Sequence, residues 1–320
     1  MSTLVGVDLG GTNIRAAVAT GTYTHARPTH AATPGHDGPD AVVEAIGRCV
    51  EEAAGGQRID GLAIGIPGPL DPRRGIVYAA PQLRGWDNFD AASALHERVG
   101  CDVAINNDAN LAGYAEWIAG AGRGTTDFIF ITASTGVGGA LILHGNLYAG
   151  KSGTAGEIGH MPLSPDQPAC GEGHPGCLEG TASGTAIARA ARRAVETGET
   201  TSLAAMPLDA IDGKAVQDAA HAGDEVALRI FTTAARNLGR AAGGLFNLFS
   251  PEAIAIGGGL INAGELLFEP LREAVGEMAF AVPAQHCRIV EAELGTDAGL
   301  VGAVAWAVKN FERSNIADTV

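Results

Sequence analysis

The chain has 320 residues, 46% hydrophobic and 18% charged, a balance that builds a core rather than a disordered tail and, at roughly 150 residues per domain, predicts two domains. Its 21 basic and 36 acidic residues leave a formal charge of −15, which repels polyanions and excludes a nucleic-acid coat or a basic membrane-surface helix. Glycine is in excess, 46 residues with no G-X-Y repeat, so it marks turns and close backbone approaches rather than collagen.

In chain order, Leu4 to Asp8 is a β-rich run, Gly10-Gly11 a turn signal and Ile14 to Val18 a second apolar run, which predicts an N-terminal hairpin. Val42, Val43, Ile46 and Val50 share one helical face within Pro39 to Ala54. Ile59 to Ile66 and Val103 to Ile105 read as buried strands, the second followed by a helix over Ala109 to Trp117. Period-two patterning returns over Phe128 to Thr132 and Val137 to Leu143, and residues 150–176 form a long Gly-, Pro- and Ser-rich loop. Beyond Cys177 the pattern is mostly helical to Phe249. Ile254 to Ile256 is a strand, and helices over 265–279 and 299–313 follow. Strands alternating with helices give an α/β protein, and the opening hairpin adds an antiparallel component.

The first residues lack a basic n-region and a long apolar h-region, so a cytoplasmic protein without leader is expected. The longest uncharged stretch, 128–150, carries five glycines and alternates like strands, not like a membrane helix. Cys49, Cys101, Cys170, Cys177 and Cys287 are an odd, scattered set expected to be thiols. Trp117 and Trp306 lie on apolar helix faces and are assigned to the core; His25, His30 and His36 are assigned to the surface.

Three glycine turns stand at strand ends: Gly10-Gly11-Thr12, Thr135-Gly136 within Ser134–Gly139, and Gly257-Gly258-Gly259. Backbone N–H groups there can face phosphate oxygens because no Cβ blocks the approach. Asp8, beside the first turn, suits Mg²⁺ held mostly through water. No Walker A pattern occurs. Asn107-Asp108 follows a strand and opens a helix, at the carboxyl end of a sheet where α/β ligands bind. The helix dipole favours a negative charge there, and a carboxylate can take the proton of a hydroxyl attacking a phosphoryl group. An N-cap role for Asp108 is the competing explanation.

D-L-G-G-T at 8–12, N-D at 107–108, S-T-G-V-G-G at 134–139, G-E-I-G-H at 156–160, G-C-L-E at 176–179 and I-G-G-G at 256–259 resemble, in order and spacing from residue 4 to about 310, the ROK family of sugar kinases and sugar-responsive repressors. The resemblance implies an α/β, two-domain actin-like ATPase fold (hexokinase-type, ribonuclease H-like) with a central cleft. Its smaller N-terminal domain would be 1–118 plus 301–320, and its larger one 119–300. It also implies transfer of the ATP γ-phosphoryl group to the 6-hydroxyl of glucose or a similar hexose, with N-acetylmannosamine, N-acetylglucosamine and fructose as alternatives, and a homodimer. Asp108 matches the catalytic base. Asn107, Glu157, His160 and Glu179 match residues holding sugar hydroxyls, and Gly68 and Gln82 fall in loops that contact the sugar. ATP and Mg²⁺ fall to Asp8, Gly10, Gly11, Thr12, Thr135, Gly136, Gly258 and Gly259.

Two departures from the family pattern stand out. The family's C-x-C-G-x-x-G-C carries three thiolates that join the G-E-x-G-H histidine on a structural zinc. Here Cys170 and Cys177 keep the outer positions, and Glu172 takes the middle one. Zinc on His160, Cys170, Cys177 and either Glu172 or His174, and a loop held by hydrogen bonds alone, both stay open. Gln82 stands where glucose-using relatives often have Asn. A repressor, which adds a helix-turn-helix domain before the core, is disfavoured by the phosphate hairpin at residue 8 and the acidic charge. A catalytically dead sugar binder is disfavoured by the intact Asp8 and Asp108.

Overall fold

The structure is a computed structural model that describes residues 2–164, 166 and 168–312. The far end of the last expected helix, at 313, and residues 314–320 of the expected smaller domain lie outside the described residues. The chain divides into two compact units: residues up to Gly124, Leu147–Ala155 and the chain from Thr296 form the first, and Thr125–Asn146 with Gly156–Gly295 the second. The sequence expectation set the divisions at 118/119 and 300/301 and left 147–155 with the larger domain.

The first unit holds strands β1 (Leu4–Leu9), β2 (Asn13–Val18), β3 (Thr29–Ala32), β4 (Gly61–Ile66) and β5 (Val103–Asn107), in the order β3-β2-β1-β4-β5. The β1/β2 and β2/β3 pairs are antiparallel, and β1/β4 and β4/β5 parallel. Every residue of β4 is buried, as a parallel strand covered on both faces should be. Helix α1 (Pro39–Ala54) starts with its proline at a position where the missing N–H costs nothing, and ends on Gly55 at φ 59°. It packs Val42, Val43, Ile46 and Val50 with Val5, Val7 and Leu9 of β1. On the opposite face of β1, Gly6 comes so near the C-terminal helix Ala298–Phe311 that a Cβ would stand 2.3 Å from Val304 N. At Gly302 the same helix meets α2 (Asp108–Ala119), where a Cβ would lie 2.0 Å from the Leu111 carbonyl oxygen.

The second unit repeats the plan. Its strands are β6 (Phe128–Ala133), β7 (Val137–Leu143), β8 (Asn146–Leu147), β9 (Ala253–Gly257) and β10 (Arg288–Glu291), in the order β8-β7-β6-β9-β10. The β6/β7 pair is antiparallel, and β6/β9 and β9/β10 are parallel. Helices α3 (Leu178–Ala182), α4 (Gly184–Glu196), α5 (Glu225–Phe249) and α6 (Glu265–Met278) belong here. Helix α5 carries Gly239 against the Leu271 carbonyl of α6, 2.2 Å from an added Cβ.

The short edge strands β3 and β10 escaped the sequence patterning because they are polar and only half-covered. Trp117 and Trp306 are only partly buried; Trp117 meets Tyr114 tilted and Trp306 meets it edge-on, with ring centroids 5.7 and 5.3 Å away. The tryptophan wholly inside is Trp86. Among the described residues no helix is long and apolar enough to cross a membrane.

Gly302→Ala separates two effects of opposite sign. Replacing a glycine inside a helix ordinarily gains about 1 kcal/mol, whereas overpacking against rigid backbone costs about 1–3 kcal/mol. The expected outcome is a lower urea midpoint at unchanged m-value; a raised midpoint contradicts the close approach.

Candidate active site

At the ends of β1 and β6 the chain turns back in two hairpins, with four residues between the paired Leu9 and Ile14 and three between the paired Ala133 and Val137. In the first unit, Gly10 N–H donates to Asn13 O at 2.8 Å, and Thr33 Oγ1 donates to Gly10 O at 2.8 Å. Gly10 N–H therefore closes the turn and is not available to phosphate, contrary to the sequence expectation. Gly11 and Thr12 N–H have no acceptor among the described residues. Gly11 lies under the end of the exposed Gln82 side chain: a Cβ there would stand 2.0 Å from Gln82 Oε1, which would have to swing aside. The amide of Gln82 thus rests on the hairpin.

In the second unit, Ser134 N–H donates to Gly136 O at 2.9 Å. Here too the two central N–H groups, those of Thr135 and Gly136, have no acceptor among the described residues. Val137 N–H donates to Glu179 Oε2 at 3.0 Å. Glu179, expected only at the sugar, thereby fixes the second hairpin as well. Gly258, at φ 85°, lies against the end of β6, where a Cβ would meet Ala133 O at 2.4 Å. Gly259 follows beside Ser134, where an added Cβ would stand 3.6 Å from the Ser134 Oγ.

Asp8 is paired directly across the hairpin with Arg15. Arg15 Nη2 reaches its carboxylate at 2.6 Å and Nε at 3.1 Å, and Arg15 also donates to Thr296 O and, at 3.3 Å, to Asp297 Oδ1. An added Cβ on Gly299, in the first turn of the C-terminal helix, would lie 2.8–3.0 Å from the Asp8 carboxyl group, so Asp8 faces the positive end of that helix. The sequence reading passed over Arg15, although counting residues back from the Gly10-Gly11 turn would have found this cross-strand partner.

Asn107 ends β5 and caps α2: its Oδ1 accepts from Asn110 N at 3.1 Å, while its Nδ2 donates to Gly68 O at 3.1 Å. Asp108 is therefore the first helical residue and not the cap, and its Oδ1 accepts from Ala109 N at 2.8 Å. Gly68 sits at φ 94° with the Ala79 carbonyl 2.2 Å from where a Cβ would be. The loop reaching Ala80 and Trp86 is held beside it. Beneath, Asn106 Oδ1 accepts from both Asn107 N and Asn110 Nδ2, a buried amide pair that sequence patterning did not single out.

Glu157 keeps solvent access, but partial desolvation pushes its carboxyl above the usual range; His160 opposes the shift, and Glu179 and Glu172 add to it. His160 Nδ1 is 3.2 Å from His174 Nδ1, and Cys170 Sγ is 3.8 and 3.7 Å from the two. Bonds of about 2.0–2.1 Å to nitrogen and 2.3 Å to sulfur in a tetrahedron would put such donors roughly 3.4 and 3.6 Å apart, so the three fit one zinc ion. Cys177 is buried and has the Cys170 thiol for a neighbour; burial first, and then that thiol, push its pKa up. Of the two expected fourth ligands, His174 joins His160 and Cys170 in the cluster and Glu172 does not; the expected ligand Cys177 lies outside it as well.

Two sheets of one strand order, each turning back on a hairpin with free central N–H groups, define an actin-like ATPase fold of the hexokinase type. The chain belongs to the ROK family, whose profile matches residues 4–310. It is 36% identical to the glucokinase of Thermotoga maritima over 94% of this chain and 96% of that one. The crystal structure of a ROK family glucokinase from Streptomyces griseus in complex with glucose and AMPPNP superposes with a TM-score of 0.82 at 35% identity, covering 97% of this chain and 100% of the other. The ROK hexokinase from Thermus thermophilus gives 0.83 at 36% identity, covering 96% and 99%.

Gly258→Ala combines a left-handed φ, costing about 1–2 kcal/mol, with a clash on the Ala133 backbone. A drop of several degrees in Tm is expected, along with loss of ATP affinity by equilibrium dialysis; wild-type values for both would refute the tight turn.

Proposed function

We propose that this protein is an ATP-dependent glucokinase that transfers the γ-phosphoryl group of ATP to the 6-hydroxyl of glucose, working in the cytoplasm where its five cysteines stay thiols. The observation that carries the reading is the division of labour at the start of α2: Asn107 does the capping, and Asp108 stands beside it at the first helical position. Full-length similarity to glucokinases supports the choice of sugar.

In this reading Asp108 accepts the proton of the 6-hydroxyl as that oxygen attacks the γ-phosphorus in line, and ADP leaves. Asn107, Glu157, His160 and Glu179 hold the remaining hydroxyls, with Gly68 and Gln82 in the contacting loops. Hydroxyl-matched polar groups of this kind reject sugars that leave them unpaired. Gly11, Thr12, Thr135 and Gly136 offer N–H groups to the phosphates, and Gly258 and Gly259 let the nucleotide pass close to the backbone. Mg²⁺, bound with ATP, neutralises charge on the β- and γ-phosphates; Asp8 would hold it through water.

A structural zinc on His160, Cys170, His174 and Cys177 completes the proposal. With Nδ1 of His160 turned to the metal, Nε2 is the ring nitrogen left for a sugar hydroxyl, so one side chain serves both purposes.

Asp108→Ala is expected to lower kcat about 10²–10⁴-fold with little change in glucose binding; retention of more than about half of the wild-type kcat removes Asp108 as the base. In a hexose panel with ATP, glucose should give the highest kcat/KM. A higher value for N-acetylmannosamine, N-acetylglucosamine or fructose reassigns the substrate. Unchelated protein should carry about one zinc per chain and His174→Ala much less, whereas below about 0.2 in the wild type ends the zinc assignment.

A further inference from the structure

A cavity of about 460 Å³ lies in the second unit between α4 and α5, and it shares no lining residue with the hairpins or the His160–Cys170–His174 cluster. Three arginines line it, Arg189, Arg193 and Arg229, in a chain whose formal charge is −15. Glu199 is the one carboxylate in the lining, and it is bonded to Arg229. The balance leaves two positive charges. Arg189 is held in place by the carbonyls of Ala169 and Gly180. The Arg193 guanidinium has no acceptor among the described residues.

The wall opposite is polar and incompletely satisfied. Asn237 is 6% exposed and lines the cavity. Its Oδ1 accepts from Arg240 at 3.0 Å, but its Nδ2 donates to no acceptor among the described residues. The cavity leaves that amide N–H open to a ligand or water oxygen. Thr233 donates its hydroxyl to the Arg229 carbonyl at 2.8 Å and so keeps its oxygen for a ligand hydroxyl.

We propose that this cavity binds a small phosphate monoester. A monoester dianion matches the two uncompensated positive charges, and guanidinium forks bond oxyanions bidentately. The volume lies within the range of small-molecule sites, so there is room for an organic body beyond the phosphate. Asn237 Nδ2 and Thr233 are the groups that would meet that body. The site is independent of the kinase reading, and either can fail without the other.

Titration calorimetry with glycerol 3-phosphate and with inorganic phosphate tests it on wild-type protein, Arg193→Ala and Asn237→Ala. Glycerol 3-phosphate should bind the wild type at one site per chain. Arg193→Ala should weaken it at least about tenfold, a lost charge-assisted hydrogen bond, and Asn237→Ala should weaken it less. Inorganic phosphate should bind the wild type more weakly than the ester; equal affinity overturns the monoester assignment. Absence of ester binding at about 10 mM, well above a millimolar Kd, or affinity unchanged in Arg193→Ala, overturns the site. Circular dichroism of the two variants guards against misfolding, and because Arg193 is exposed that variant is expected to fold.

Discussion

Backbone passing within reach of backbone, possible only where no Cβ intervenes, is the constraint on which the rest of the structure depends. Gly6 and Gly302 let the C-terminal helix lie directly on β1 and on α2. Gly239 lets α6 lie on α5, and Gly258 lets the end of β9 lie on the end of β6. In each case a methyl group would stand within 2.4 Å of a main-chain atom, and main chain in packed sheets and helices has little room to yield. Part of the glycine excess thus goes to depth of packing, and another part to turns that need a positive φ.

That depth arranges the charged groups. Three of the four carboxylates expected at the site are held by a donor of their own unit: Asp8 by Arg15, Asp108 by Ala109 N–H and Glu179 by Val137 N–H. Local donors let an acidic protein gather carboxylates without relying on a bound cation to order them. The two hairpins share one further property. Each uses one N–H to close its turn and leaves two without an acceptor among the described residues, so the repeat of strand order is also a repeat of hydrogen-bonding pattern at the strand ends.

Much of this was legible in the chain itself. The apolar runs gave the central strands to within two residues at most ends, because a buried strand must be apolar throughout. The edge strands β3 and β10 were not legible, since partly covered strands carry no such pattern. Motif order located Asp108, Glu157, His160 and Glu179, but it could not tell a cap from a neighbour of a cap. Only the hydrogen bond from Asn110 N to Asn107 separates them. Arg15 and His174 were missed or left open because their meaning lies in partners: Arg15 opposes Asp8 across a hairpin, and His174 faces His160 through a loop with no regular period. Trp306 packs against the core residues Leu4, Ala63 and Ala307 while staying partly open, and Trp117 is likewise only partly buried, since apolar helix spacing also fits an aromatic cluster open on one side.

The replacement of a cysteine by Glu172, with His174 in the cluster, alters formal charge as much as geometry. A zinc ion held by one imidazole and three thiolates is a monoanion, whereas one held by two imidazoles and two thiolates is neutral. Partial desolvation already pushes the Glu157 carboxyl up, and Glu179 and Glu172 add to the shift against His160. Were zinc bound there, a neutral centre would place one negative charge fewer near Glu157 than a three-thiolate centre would.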